Sequence, residues 1–377
     1  QVLWDQYTST VETQRKLASG ALDEFVNNYA RRLAQHGGDT AKTSLEAGLV
    51  DQLLNRVQTN EYLVELVGAS DEDGRYEAVA FDHYVSRKRP LSISGQGKTR
   101  VAVITAQGDM LPGEQPAGTI GGDSLAQLIR DTAGQDDVGA IVLRINSGGG
   151  SLFASEIIRQ QLLNTRAAGT PVVVSMGAMA ASGGYYIAVE ADEVWATPST
   201  ITVSIGVFAA FPTFEQLLQR MGIYTDGVGT TDLAGSLRPD RPLNPQLVEA
   251  LNSGVNHAYR SFLQIVAEGR NMTLEEVSAL AEGRVWSAPD ALAAGLLDGL
   301  GGLEQAIGAA AARANLLDYE VDYVEMPLSP QELLLQQLAE HVGSMGNWNR
   351  STLGAGLSRL LRPISEATAE IAGLQDP

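Results

Sequence analysis

The chain has 377 residues, 44% of them hydrophobic and 19% charged, enough apolar content to bury a core in more than one lobe and too much for extended intrinsic disorder. Its 26 basic residues against 45 acidic ones leave a net charge of -19, so the average surface repels nucleic acid and anionic membrane alike. With no cysteine, disulfides, thiolate nucleophiles and zinc-thiolate sites are excluded, while the compartment stays open.

The chain opens on Gln1 with neither a basic nor an apolar leader region and no apolar run of about 18 residues anywhere, so it reads as a processed or truncated product with no spanning segment of its own. Residues 10–33 are helix-like, and a short helix over 41–47 closes at Gly48 with a Leu49-Val50-Asp51 exit. The same text returns 247 residues later: 41–53 is echoed by 288–300, with Gly295-Leu296-Leu297-Asp298 at the exit and another helix-like stretch, 244–267, in front. A duplicated domain accounts for both copies. Residues 1–92 are then the C-terminal remnant of a first repeat plus a linker, and 93–325 a complete second repeat.

The linker shows between residues 67 and 89 as a polar run ending in Arg87-Lys88-Arg89-Pro90, whose basic trio reads as a solvated connector. From residue 100 strands and helices alternate. Compact β-branched runs lie at 101–105, 140–145 and 171–175, with helices at 124–131 and 154–168, a pattern that predicts an α/β domain on a mostly parallel sheet. Residues 326–377 read as a C-terminal tail, with an amphipathic helix over 332–338.

Two Gly-rich turns each follow a strand and open a helix: Asn146-Ser147-Gly148-Gly149-Gly150-Ser151, and 177–184, which carries Ser182 before Gly183-Gly184. Such junctions expose backbone N–H groups, and glycine lets a substrate approach them. Neither turn has the spacing of a dinucleotide fingerprint or a P-loop. A nucleophilic serine needs a base. The histidines are His36, His83, His257 and His341; His257, the first after Ser182, sits in a helical run where a surface role is expected, so a Ser-His-Asp triad is weakly supported. The lysines are Lys16, Lys42, Lys88 and Lys98, all before Ser182, and Lys42 aligns by the repeat with Pro289, a first-turn helix position that reads as structural. Ser204 lies on the next apolar run. It is either a strand-end polar residue or a second hydroxyl that holds a lysine ammonium.

At these residues the chain resembles the protease IV family, also called signal peptide peptidase A. The matching stretches are 142–151, 173–186, 198–207, Asp226-Gly227-Val228 and 282–286. The resemblance implies a serine peptidase with a Ser-Lys dyad on the Clp protease/crotonase-like fold, here the C-terminal part of a tandem duplication. It implies Ser182 as nucleophile, Ser204 as the group that positions the base, and N–H groups of Gly149, Gly150 and Gly183 as the oxyanion hole. It further implies peptide substrates such as cleaved signal-peptide remnants, no cofactor or metal, a ring-like homo-oligomer (a tetramer in the full-length form), and a site at the bacterial inner membrane facing the periplasm.

Two departures stand out. Gly148 replaces the family's proline in the first turn, and Gly229-Thr230-Thr231-Asp232 stands where short family members carry their lysine. Long members take the lysine from the first repeat; carrying Thr231 back by one repeat puts it about seventeen residues before Gln1, so the base is expected upstream. A non-catalytic crotonase-like domain that binds peptides or assembles is the alternative. Acyl-CoA chemistry is a third reading, disfavoured because an acidic, lysine-poor chain is poorly suited to a CoA phosphate pocket.

Overall fold

The structure is a computed structural model that describes residues 1–70, 75–79, 81, 84, 99–116, 118–228 and 235–324. Gln1–Glu325 form one compact unit and Met326–Pro377 a second, which lies outside the described residues together with the helix expected at 332–338 and most of the expected linker.

The first elements are the helices α1 (Val2–Arg15), α2 (Ala21–Asn27), α3 (Tyr29–Gln35), α4 (Thr40–Glu46) and α5 (Arg56–Val67). The expected helical stretch at 10–33 is thus broken twice. Lys16 adopts a left-handed conformation (φ 55°) that ends α1, the buried Glu12 carboxylate accepts the Leu22 N–H at 2.9 Å, and Gly20 (φ 82°) starts α2. Local side-chain capture outcompetes helix propagation there.

The α/β part follows in the order β1 (Arg100–Gln107), β2 (Met110–Leu111), β3 (Ile120–Gly121), α6 (Gly122–Ala133), β4 (Val138–Ser147), α7 (Leu152–Ala167), β5 (Val172–Ala181), α8 (Gly183–Tyr186), β6 (Glu193–Ala196), β7 (Ile201–Val203) and α9 (Glu215–Arg220). It closes with α10 (Pro245–Arg270), α11 (Leu274–Leu280), β8 (Val285–Ser287), α12 (Ala288–Ala293), β9 (Gly299–Leu300), α13 (Leu303–Arg313) and β10 (Glu320–Val324). The main sheet runs β10-β1-β4-β5-β6-β9, all parallel, with β7 parallel to the end of β5 and β8 antiparallel to β7.

The period of two along each strand divides the core. Ala102, Ile104, Ile141, Leu143, Val172 and Val174 face one layer with α6 and α7, while Val101, Val103, Ala140, Val142 and Val173 face α13. The three expected strands and the α/β class are as the sequence pattern gives them. The helix expected from residue 244 also begins there, with Asn244 capping the Gln246 N–H at 2.8 Å and Pro245 in the first turn.

The echo has a geometric counterpart. Lys16 and Asn271 both end their helices left-handed (φ 55° and 52°), with Leu17 N–H on Glu12 O (2.8 Å) and Met272 N–H on Ala267 O (2.9 Å). Arg15 Nε donates to Gly48 O (2.9 Å) and its two terminal nitrogens to Asp51 (2.8 and 2.9 Å); Arg270 repeats this with Gly295 O (3.0 Å) and Asp298 (2.9 and 3.0 Å). Arg15 precedes Arg270 by 255 residues and Gly48 precedes Gly295 by 247, so the first connection is eight residues longer.

Candidate active site

The site is built where β4 and β5 end. β5 runs into Ser182, which leaves the strand at φ 50°, ψ -116° and heads α8. The corner is held from three sides. Ser182 N–H donates to Val203 O (2.8 Å), Ser182 O accepts the Tyr185 and Tyr186 N–H groups (3.0 and 2.9 Å), and both tyrosines anchor the turn behind it. Tyr185, fully buried, donates its hydroxyl to Leu296 O (2.9 Å); Tyr186 donates to Glu156 (2.7 Å) and packs edge-on to Phe262. A non-glycine residue held at positive φ is conformational strain that the surrounding bonds must maintain. Ser182 is half-buried, and its hydroxyl has no hydrogen-bond partner among the described residues.

The first Gly-rich turn lies against this corner. Ser147, at the end of β4, donates its Oγ to Gly108 O (2.6 Å) and accepts the Gly149 N–H (3.0 Å). Gly149 O accepts Met110 N–H (2.9 Å), and Ser151 N–H donates to Met110 O (2.8 Å), fastening the loop to β2. Gly149 sits at φ 101° so close to the second turn that a Cβ there would be 2.5 Å from Gly183 N. Only glycine fits.

These bonds divide the three expected oxyanion donors. The buried Gly149 N–H is occupied by Ser147, whereas the Gly150 and Gly183 N–H groups have no acceptor among the described residues, and Gly150 is exposed. Ser147 was legible only as part of the Gly-rich motif; its role as the loop's internal acceptor needs coordinates.

Ser204 follows Val203, whose carbonyl holds Ser182 N–H, so the backbones of the two serines adjoin. Val203 and Ser204 also have positive φ (74° and 53°). Ser204 Oγ donates to Gly283 O (3.2 Å) and its N–H to Arg284 O (3.1 Å), which brings the 282–286 stretch into the site. There Trp286 donates Nε1 to Leu280 O (3.0 Å), and the Arg284 guanidinium lies 5.6 Å from the Trp286 ring centre.

No described lysine or histidine bonds to either serine. Lys42 is exposed and its ammonium lies 3.4 Å from Asp39. His257, on α10, lines a cavity of about 550 Å³ with Phe153, Glu156, Tyr186 and Glu268, a cavity that does not include Ser182. His83, Lys88, Lys98 and the 229–232 stretch lie outside the described residues. Arg241 donates to Asp226 O, which fixes the Asp226-Gly227 turn. No helix among the described residues is long and apolar enough to cross a membrane.

Comparison with known proteins gives a family model, Peptidase family S49, matching residues 164–317. Protease 4 of Salmonella typhi is 38% identical over 376 residues, 100% of this chain and 60% of that protein. Serine protease SPPA, chloroplastic, of Arabidopsis thaliana is 32% identical over 334 residues, 87% of this chain and 48% of its own length. A relative in Synechocystis sp. is 34% identical over 212 residues, 54% of this chain and 76% of its own length. The chain thus spans about half to three-fifths of the two longer relatives.

Proposed function

The chain belongs to peptidase family S49, and on that basis we propose that it carries the nucleophile of a serine endopeptidase, Ser182, acting on apolar peptides such as cleaved signal peptides. In this reading Ser182 Oγ attacks the scissile carbonyl and gives its proton to a lysine. The Gly150 and Gly183 N–H groups hold the tetrahedral oxyanion, each such donor being worth about 3 to 4 kcal/mol. The lysine then protonates the leaving amine, and water hydrolyses the acyl-enzyme. Gly149, with its N–H on Ser147, shapes the loop.

The observation that carries the reading is the strained Ser182 corner, with the unengaged Gly183 N–H next to it and the Gly149 turn packed against it. A scaffold that only bound peptides or assembled would gain nothing from holding a serine at φ 50°. The base is a lysine of an upstream repeat, oriented by Ser204, whose oxygen can still accept a bond while its hydrogen is on Gly283 O. The repeated helix cap and arginine clamp support the domain reading of a first-repeat remnant over 1–92 and a second repeat over 93–325. Homo-oligomerisation, as a tetramer in the full-length form, and a place at the bacterial inner membrane facing the periplasm complete the proposal on family resemblance.

Replacing Ser182 by Ala in a full-length preparation tests it. Turnover of an apolar peptide ester should disappear with the fold unchanged by circular dichroism; unchanged turnover would overturn the assignment.

A further inference from the structure

The chain after β7 folds into a pocket that the chemistry at Ser182 does not use. Its arms are α9, residues 223–225 and residues 235–245. They are tied together by Ile223 N–H on Leu218 O (2.9 Å), Phe214 N–H on Pro239 O (2.8 Å) and the Thr225 hydroxyl on Asp240 O (3.0 Å). Between them lies a cavity of about 430 Å³, with Glu215, Ile223, Tyr224, Arg241 and Leu243 among its walls and no residue of the Ser182 corner.

Two opposite charges in these walls lack a counterion. In a chain with 45 acidic and 26 basic residues an arginine finds a carboxylate easily, and Arg238 holds Asp240 with both sides of its fork (2.9 and 2.6 Å). Arg241, three residues on, makes no ion pair among the described residues. Its Nη2 donates to Asp226 O, while its Nε is shielded from solvent and has no acceptor among the described residues. Glu215 likewise makes no ion pair there, and its Oε2 is shielded with no donor. Such orphans cost stability that a bound group of opposite character restores. Gly227 leaves the space that the guanidinium fills, since a Cβ there would stand 2.6 Å from Arg241 Nη2 and 3.2 Å from Nη1.

We propose that this cavity binds a short free peptide, with its ammonium on Glu215 and its carboxylate on Arg241. One unpaired anion and one unpaired cation in a single cavity match a ligand that carries both signs, and a guanidinium with an unclaimed Nε offers the planar fork that a carboxylate fits. Ile223, Tyr224 and Leu243 give its side chains an apolar wall. A volume at the small end of ligand pockets suits about two residues rather than a longer chain. Binding here does not depend on Ser182 or on its reaction.

Calorimetric titration of the Ser182→Ala chain, which leaves any bound peptide uncleaved, tests the assignment with alanyl-leucine, its N-acetyl form and its C-terminal amide. The free dipeptide should bind at least about tenfold more tightly than either blocked form, because each block removes one charge-assisted pair. Glu215→Gln, nearly isosteric, should abolish the preference over the acetylated peptide and keep the preference over the amide. Arg241→Gln should do the reverse; should it unsettle the Asp226 turn by circular dichroism, Glu215→Gln alone decides. No binding of alanyl-leucine, equal binding of the three peptides, or a preference that Glu215→Gln leaves unchanged would each overturn the proposal. No cleavage is measured, so none of these outcomes bears on the peptidase reading.

Discussion

Replacing Gly149 by Ala perturbs the two Gly-rich turns where they touch. The new Cβ would stand 2.5 Å from Gly183 N and 3.0 Å from both Ala181 O and Ser182 Cβ, against the 3.4 Å or more of ordinary contact. Two of those three neighbours are backbone atoms, so the turns must separate by roughly an ångström, an overpacking cost of about 1 to 3 kcal/mol. An L-residue at φ 101° adds about 1 to 2 kcal/mol. Either movement takes Gly183 N–H from its place beside Ser182, or the methyl covers it. Losing one oxyanion donor lowers kcat by roughly a hundred- to a thousand-fold. The assay is hydrolysis of a fluorogenic apolar peptide ester by the full-length protein, with a thermal melt in parallel. Gly148→Ala is the control, because Gly148 is exposed and its added Cβ would meet only the Met179 sulfur at 3.4 Å. A folded Gly149→Ala protein with kcat within threefold of the parent would refute the reasoning.

Lys42→Ala should leave turnover within about twofold in the same assay, because the exposed ammonium lies beside Asp39 and surface pairs of this kind contribute little. Arg270→Ala should lower unfolding stability by about 3 kcal/mol in urea titration, as its side chain is 9% exposed and its loss strands Asp298 and Gly295 O. Arg15→Ala, at the more exposed clamp, should lower stability by clearly less than Arg270→Ala does. Burial alone would raise the Glu156 carboxyl, but hydrogen bonds from Arg159, Tyr186 and Gln160 outweigh it and hold it at about 2, below its ordinary 4.5. Its stabilisation is therefore present above pH 4.5 and lost as pH falls toward 2, and Glu156→Gln should flatten that part of the stability curve measured by urea midpoints.

The α/β class and the strands at 101–105, 140–145 and 171–175 were legible because a parallel sheet buried on both faces leaves continuous apolar, β-branched runs. The Ser182 turn was legible from its Gly-rich text between strand and helix. Short strands such as β7 and β8 carry too few residues for a periodic signal. The break after Arg15 escaped detection because it depends on a buried Glu12 reaching Leu22 N–H, a capture that leaves no mark on hydrophobic period. The eight-residue difference between the clamps is hidden from a repeat of one fixed offset, because Arg15 and Arg270 lie 255 residues apart and fall off the 247-residue spacing. Ser147 taking the Gly149 N–H is a matter of loop geometry, which residue type alone does not specify.

The most direct measurement of the central claim is the position of a fluorophosphonate adduct in a preparation that hydrolyses apolar peptides, mapped by peptide mass spectrometry. One adduct is expected, on Ser182, that forms in step with loss of activity and is absent from Ser182→Ala. An adduct on Ser204 or another serine, or full inactivation with Ser182 unmodified, would contradict it.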